Sequence, residues 1–115
     1  MLPNRMNLTH QVEEQLKKLK LYTGITPNIS ARIAFFRSIE NKYHYNGEVI
    51  TLNGSLLLDV FTWLGDTRDI TECLLKQHYP NFNAKDYHKA WAAHVEDGIS
   101  ALRNYKNIKE FSLAI

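Results

Sequence analysis

Cysteine is almost missing from this chain: Cys73 stands alone among 115 residues. One thiol excludes an intrachain disulfide and leaves no thiol pair for a zinc or iron-sulfur centre, which fits a reducing compartment. Long apolar runs are missing too. The opening "MLPNRMNLTHQVEEQ" has no apolar core of signal-peptide length, and nowhere is there a stretch of about 18 apolar residues, so a soluble cytoplasmic protein with no membrane contact is expected. No repeat or polar low-complexity tract points to disorder. A large excess of one charge sign is also lacking. Fourteen Lys and Arg face twelve Asp and Glu, a net charge of +2, too small by itself to mark a nucleic-acid binder.

Catalytic signatures are equally scarce. Five histidines occur, but no two have the four-residue spacing that puts metal ligands on one helix face. There is no glycine-rich phosphate loop, no serine in a nucleophile elbow and no set of acid, base and nucleophile. We therefore expect no enzyme, no metal and no cofactor.

What is present is enough for one domain, residues 1–115, with a 44% hydrophobic fraction in the ordinary globular range. Over Asn4–Thr9 polar and apolar residues alternate, with Met6 and Leu8 on one side and Arg5 and Asn7 on the other, predicting a short strand. Thr9 then caps a helix carrying Val12, Leu16, Leu19 and Tyr22 at helical spacing, and Gly24 ends it. Thr26 and Pro27 open a second helix with Ile29, Ile33 and Phe36 as its apolar stripe and Arg32 on the margin. In the middle region, residues 41–65, Asn53-Gly54 lies between two apolar runs, so a short hairpin over Glu48–Phe61 is expected; a helix from Ser55 would explain the leucines equally well. Asp66 or Thr67 starts a helix to about Tyr79. Asn83 opens the last, whose inner face is Tyr87, Trp91, His94, Gly98, Ala101, Leu102 and Tyr105. A mainly α fold with a short N-terminal strand follows. His94 reads as a hydrogen-bonded core histidine, Gly98 as a point of close backbone approach and Cys73 as a packing residue.

The positive charge is concentrated at the front. Residues 1–40 hold six Lys/Arg and three Asp/Glu, or +3, and residues 41–115 hold eight and nine, or −1. Lys17, Lys18 and Lys20 offer phosphate contacts, although Glu13 and Glu14 precede the first two by four residues and can pair with them. The N–H groups at Thr26, Pro27 and Asn28 could receive a phosphate oxygen together with Lys20 and Arg32, or Arg32 could instead pair with Glu40. Strand, helix and helix in this order also match the ribbon-helix-helix plan, in which Arg5 and Asn7 would read bases as a repressor or antitoxin dimer. A scaffold whose "AWAAH" helix docks a partner without touching DNA is a further alternative.

The segments "LTHQVEEQLKKLKLYTGITPNISARIAFFRSIE" and "HVEDGISALRNYKNIKEF" together resemble the DndE family of bacterial DNA phosphorothioate-modification systems. That resemblance implies a non-catalytic accessory protein that binds DNA with a preference for nicked duplexes and assembles as a homotetramer. Its implied partners are the sulfur-transfer and ATPase components of the same system. The family pattern falls on Lys20, Thr23, Gly24, Thr26, Pro27, Asn28 and Arg32, and later on His94, Gly98 and Leu102. Residues 43–63 match nothing in it.

Overall fold

The computed structural model describes residues 2, 5–48, 50–54, 58–59 and 64–102. The first helix, α1, spans His10–Thr23. Its start is fixed as the sequence predicts: the Thr9 hydroxyl accepts from the Val12 N–H at 3.2 Å. Its end is Gly24, which adopts φ 76° and donates its N–H to the Lys20 carbonyl at 2.8 Å. Val12, Leu16 and Leu19 are buried, but Tyr22 is half exposed. Thr23 takes the last inward position instead, donating its hydroxyl to the Leu19 carbonyl and accepting the Ile25 N–H.

Helix α2, Pro27–Glu40, turns a different face inward from the one expected. Ser30, Ala31, Ala34, Phe35 and Ser38 are buried, while Ile29 is 45% exposed and Ile33 and Phe36 are partly covered. The reason is steric. Helix α4, Ala84–Leu102, lies so close that a Cβ on Gly98 would come 2.7 Å from the Ala34 Cα and nearer still to its carbonyl. Only a small side chain at Ala34 permits that approach, so the bulkier Ile29, Ile33 and Phe36 lie to the side of the contact.

Between them, a 3₁₀ turn over Gly65–Thr67 leads into α3, Arg68–His78, with Thr67 at the cap position. Thr71 and Leu75 face inward, Ile70 is half exposed and Cys73 is exposed, contrary to its expected packing role. Asn83 caps α4 as predicted, its side-chain oxygen accepting the Asp86 N–H at 2.9 Å. Tyr87, Trp91, His94, Gly98 and Leu102 are buried along α4; Ala101 is exposed, and Tyr105 lies outside the described residues.

The N-terminal strand exists but is short. β1, Arg5–Met6, pairs antiparallel with β2, Leu58–Asp59, with Arg5 opposite Asp59 and Met6 opposite Leu58. Part of the expected hairpin lies outside the described residues. Among those described, Asn53-Gly54 docks on the N-terminal segment: Gly54 N–H donates to the Leu8 carbonyl at 2.8 Å, and the Asn53 side chain accepts the His10 N–H at 3.1 Å. A side chain at Gly54 would collide with the buried Glu13 carboxylate and reach 2.8 Å from the Leu8 oxygen. Glycine is used there for contact with α1. The mainly α, single-domain architecture is as the sequence predicts, and its radius of gyration of 13.2 Å is that of one compact domain.

His94 is fully buried at the centre, as expected, and fully engaged. Ser38 Oγ lies 2.9 Å from its Nδ1 and the Tyr79 hydroxyl 2.7 Å from its Nε2. Tyr79 also accepts the Tyr45 N–H at 2.7 Å. Both ring nitrogens are therefore hydrogen-bonded in either neutral tautomer: Tyr79 donates to Nε2 while Nδ1–H donates to Ser38, or Ser38 donates to Nδ1 while Nε2–H donates to Tyr79. Burial pushes the imidazole pKa down to about 4, and His78 and His44 push the same way, so the ring is neutral at physiological pH.

Candidate nucleic-acid interface

The end of α1, the Gly24 turn and the start of α2 form one exposed corner. Lys18 and Lys20 of α1 are both exposed, and neither has an ion-pair partner among the described residues. Lys17 differs. Its ammonium sits 3.2 Å from Glu13 and 3.7 Å from Glu14, and the Glu13 hydrogen bond holds its pKa above the usual lysine range. Glu14 thus pairs with Lys17, not with Lys18 as the four-residue spacing had implied, because Lys17 reaches the buried Glu13 and the neighbouring carboxylate together. Lys20 lies in the last turn of α1, where the helix dipole favours a cation.

At the start of α2, Thr26 holds the extended cap conformation, φ −66° and ψ 153°, but its side chain makes no capping hydrogen bond. Pro27 at the first helical position supplies no N–H. The corner therefore presents Lys20, in the last turn of α1, next to a helix start that its own cap residue leaves unserved, and Asn28 lies in that first turn.

Arg32 does not join this corner. Its guanidinium packs over Gly65, whose φ of +51° turns the backbone beneath it; a Cβ there would lie 2.9 Å from Arg32 Nη2. Arg32 instead lines a groove of about 310 Å³ with Ile29, Ile33, Phe36, Arg37, Glu40 and Thr67, and neither Lys20, Thr26 nor Asn28 lines it. The expected convergence of Lys20, the helix start and Arg32 on one anion is thus divided between two places. Glu40, the carboxylate considered for Arg32, lies 3.9 Å from Arg37.

Of the two candidate base readers, Arg5 is exposed and Asn7 is not free to turn outward. The Asn7 amide donates to the Gly54 carbonyl at 3.1 Å, and its backbone carbonyl engages His88. Burial lowers the His88 pKa, opposed by that hydrogen bond. Sequence reasoning missed the buried Glu13 and the groove residue Arg37. The only signal for Glu13 was its heptad neighbourhood with Val12 and Leu16, and a carboxylate at such a margin is read as solvated by default.

A second concavity, about 240 Å³, is acidic: Glu48, Glu96 and Asp97 line it with Tyr43. Burial, followed by the fields of Asp97, Tyr79 and Glu96, raises the Tyr43 pKa. A polyanion is disfavoured on that surface. No helix among the described residues is long and apolar enough to cross a membrane.

Comparison with known proteins agrees with the resemblance in the sequence. Residues 5–110 match the model of the family described as DNA sulphur modification protein DndE. Among solved structures, a DndE from Escherichia coli B7A involved in DNA phosphorothioation modification is 60% identical, with a TM-score of 0.86 over 89% of this chain and 98% of that one. A DndE variant with two glycines replaced by lysine, also described as involved in DNA phosphorothioation, is 57% identical, with a TM-score of 0.82 over 88% of this chain and 98% of that one. The search of curated proteins gave no match. A family match over nearly the whole chain, joined to the same backbone at such identity, leaves one assignment: the chain belongs to the DndE family of DNA sulphur modification proteins.

Proposed function

We propose that this chain is a non-catalytic DNA-binding subunit of a DNA phosphorothioation system, gripping the sugar-phosphate backbone without reading sequence. The observation that carries the reading is that Lys18 and Lys20 of α1 stand exposed and without carboxylate partners among the described residues, Lys20 in the turn that leads to the start of α2. Such cations neutralise phosphates and release counterions whatever the base sequence. A machine that modifies a phosphate needs duplex held in place while its other components perform the chemistry. The sulfur-transfer and ATPase components are the proposed partners, in the cytoplasm.

A homotetramer multiplies weak backbone contacts through effective concentration. A nicked duplex bends at lower cost than an intact one and is the preferred ligand in this reading. Lys18 and Lys20 are its main contacts, with Thr26 and Asn28 at the helix start, Lys17 secondary because of Glu13, and Arg32 and Arg5 at the periphery. The ribbon-helix-helix reading finds less support, since β1 is two residues long and Asn7 is tied to Gly54.

The test is a binding series with intact, nicked and sequence-scrambled duplexes of one length. Equal affinity across sequences, with nicked DNA bound at least as tightly as intact, is expected. A strong consensus site, or no binding at low salt, overturns the reading.

A further inference from the structure

We propose that the groove along α2 is a binding site for a small amphiphilic monoanion, a carboxylic acid with an apolar chain. The chain lies on Ile29, Ile33 and Phe36, and the carboxylate meets Arg37. The site is separate from the candidate nucleic-acid interface and does not depend on DNA binding.

Three observations converge. First, the dimensions are those of a ligand site. The groove holds about 310 Å³, at the lower end of the range for small-molecule pockets, and its lining is mainly apolar. Its floor runs along α2 from Ile29 to Phe36, roughly 10 Å of helix, which suits a medium-length alkyl chain. Ile29 is 45% exposed and Ile33 and Phe36 are only partly covered, so the floor is open to an incoming chain. Thr67, in the turn before α3, lines the groove as well, and a bound ligand therefore bridges α2 and that turn.

Second, Arg37 has donors to spare. Its Nε is buried and meets no hydrogen-bond acceptor among the described residues, and its Nη1 stands 3.9 Å from Glu40, beyond hydrogen-bond reach. A buried donor left unmet is costly, and a carboxylate oxygen is the acceptor that a guanidinium pairs with best.

Third, the charge selects among anions. Two arginines and one glutamate leave the groove at +1, which balances a single negative charge. The Thr67 hydroxyl already donates to the Leu64 carbonyl and adds no free donor. A phosphate dianion or a polyanion would thus set unmet charge against Ile29, Ile33 and Phe36, whereas one carboxylate on an apolar chain matches both the floor and Arg37.

The experiment is an amide chemical-shift titration of the full chain with hexanoate, octanoate and decanoate at neutral pH, octanol serving as the uncharged control. Shifts are expected to concentrate in residues 29–37 and 65–67, with affinity rising about two- to fourfold for each CH₂ added. Octanol is expected to bind at least tenfold more weakly than octanoate. Arg37→Gln should weaken octanoate at least fivefold and leave octanol unchanged, and Ile29→Ser, at an exposed position, should flatten the dependence on chain length. Lys76→Gln, which removes an exposed cation of α3, should alter neither, and thermal melts of each variant verify folding. Octanol bound as tightly as octanoate, an Arg37→Gln variant that binds as the wild type does, or shifts scattered over the surface overturns the proposal. So does the absence of shifts, which is the result if another copy of the chain or a partner's segment fills the groove.

Discussion

Gly98 of α4 rests directly against the backbone of Ala34 of α2, so the two central helices touch main chain to main chain at that point. Gly98→Ala has no free space to enter: the added methyl would lie 2.7 Å from the Ala34 Cα, and the neighbour is backbone. We expect a loss of roughly 3 kcal/mol, near the upper end for overpacking, despite the better helix propensity of alanine. Urea denaturation, read as a shift in midpoint at unchanged slope, checks it.

The engaged, neutral His94 makes stability depend on pH in one direction. Its folded-state pKa of about 4 lies below the ordinary histidine value of 6.5, so below 6.5 the unfolded chain binds a proton that the folded chain refuses. Stability from this group is complete above pH 7 and is lost as pH falls toward 4. Between pH 7.5 and 5 the loss attributable to His94 is about 2 kcal/mol. Denaturation at the two pH values, repeated with His94→Gln, should show a smaller difference in the variant.

Gly54 gives a second steric prediction, independent of the first. Gly54→Ala must push against the Leu8 carbonyl and the buried Glu13 side chain, which loosens the N-terminal segment from α1. The expected cost is about 2 kcal/mol. Amide exchange at Gly54, whose N–H is bonded to Leu8, should accelerate more than exchange in α4.

The lysines of α1 should separate by function. Lys17→Ala removes an ammonium already held by Glu13, whereas Lys20→Ala removes one without an ion-pair partner among the described residues. In DNA titrations Lys20→Ala is expected to weaken binding several-fold at 100 mM salt and Lys17→Ala by less, both equally across sequences, as for phosphate contacts of about one counterion each. An equal loss for the two would mean that the Glu13 pairing gives way on DNA.

Much of this was legible in the sequence, and the exceptions have a common cause. Thr9, Gly24 and Asn83 were readable because capping chemistry is local, and His94 and Gly98 because a polar and a small residue on an aromatic helix face demand a buried partner and a close neighbour. The face of α2 was misread because periodicity weighs side chains by hydrophobicity. Here Gly98, sixty-four residues away from Ala34, brings α4 so close that small residues are selected at the contact, and Ile29, Ile33 and Phe36 lie to its side, partly covered or exposed. Asn53-Gly54 is a turn signal by itself, and its glycine also answers to Glu13 and Leu8, which the local pattern does not announce. Of the candidate interface, the exposed lysines followed from the chain alone. The separation of Arg32 from them depended on Gly65, which nothing local to Arg32 announces.

The most direct test is the salt dependence of DNA binding by the wild type and by Lys18→Ala/Lys20→Ala, from 50 to 200 mM salt. If these two side chains grip phosphates, a plot of log affinity against log salt is steep for the wild type, and its slope falls in magnitude by about 1.8 per chain in the variant. An unchanged slope, with the variant still folded, would contradict the account, because the DNA would then be held without the two cations on which it depends.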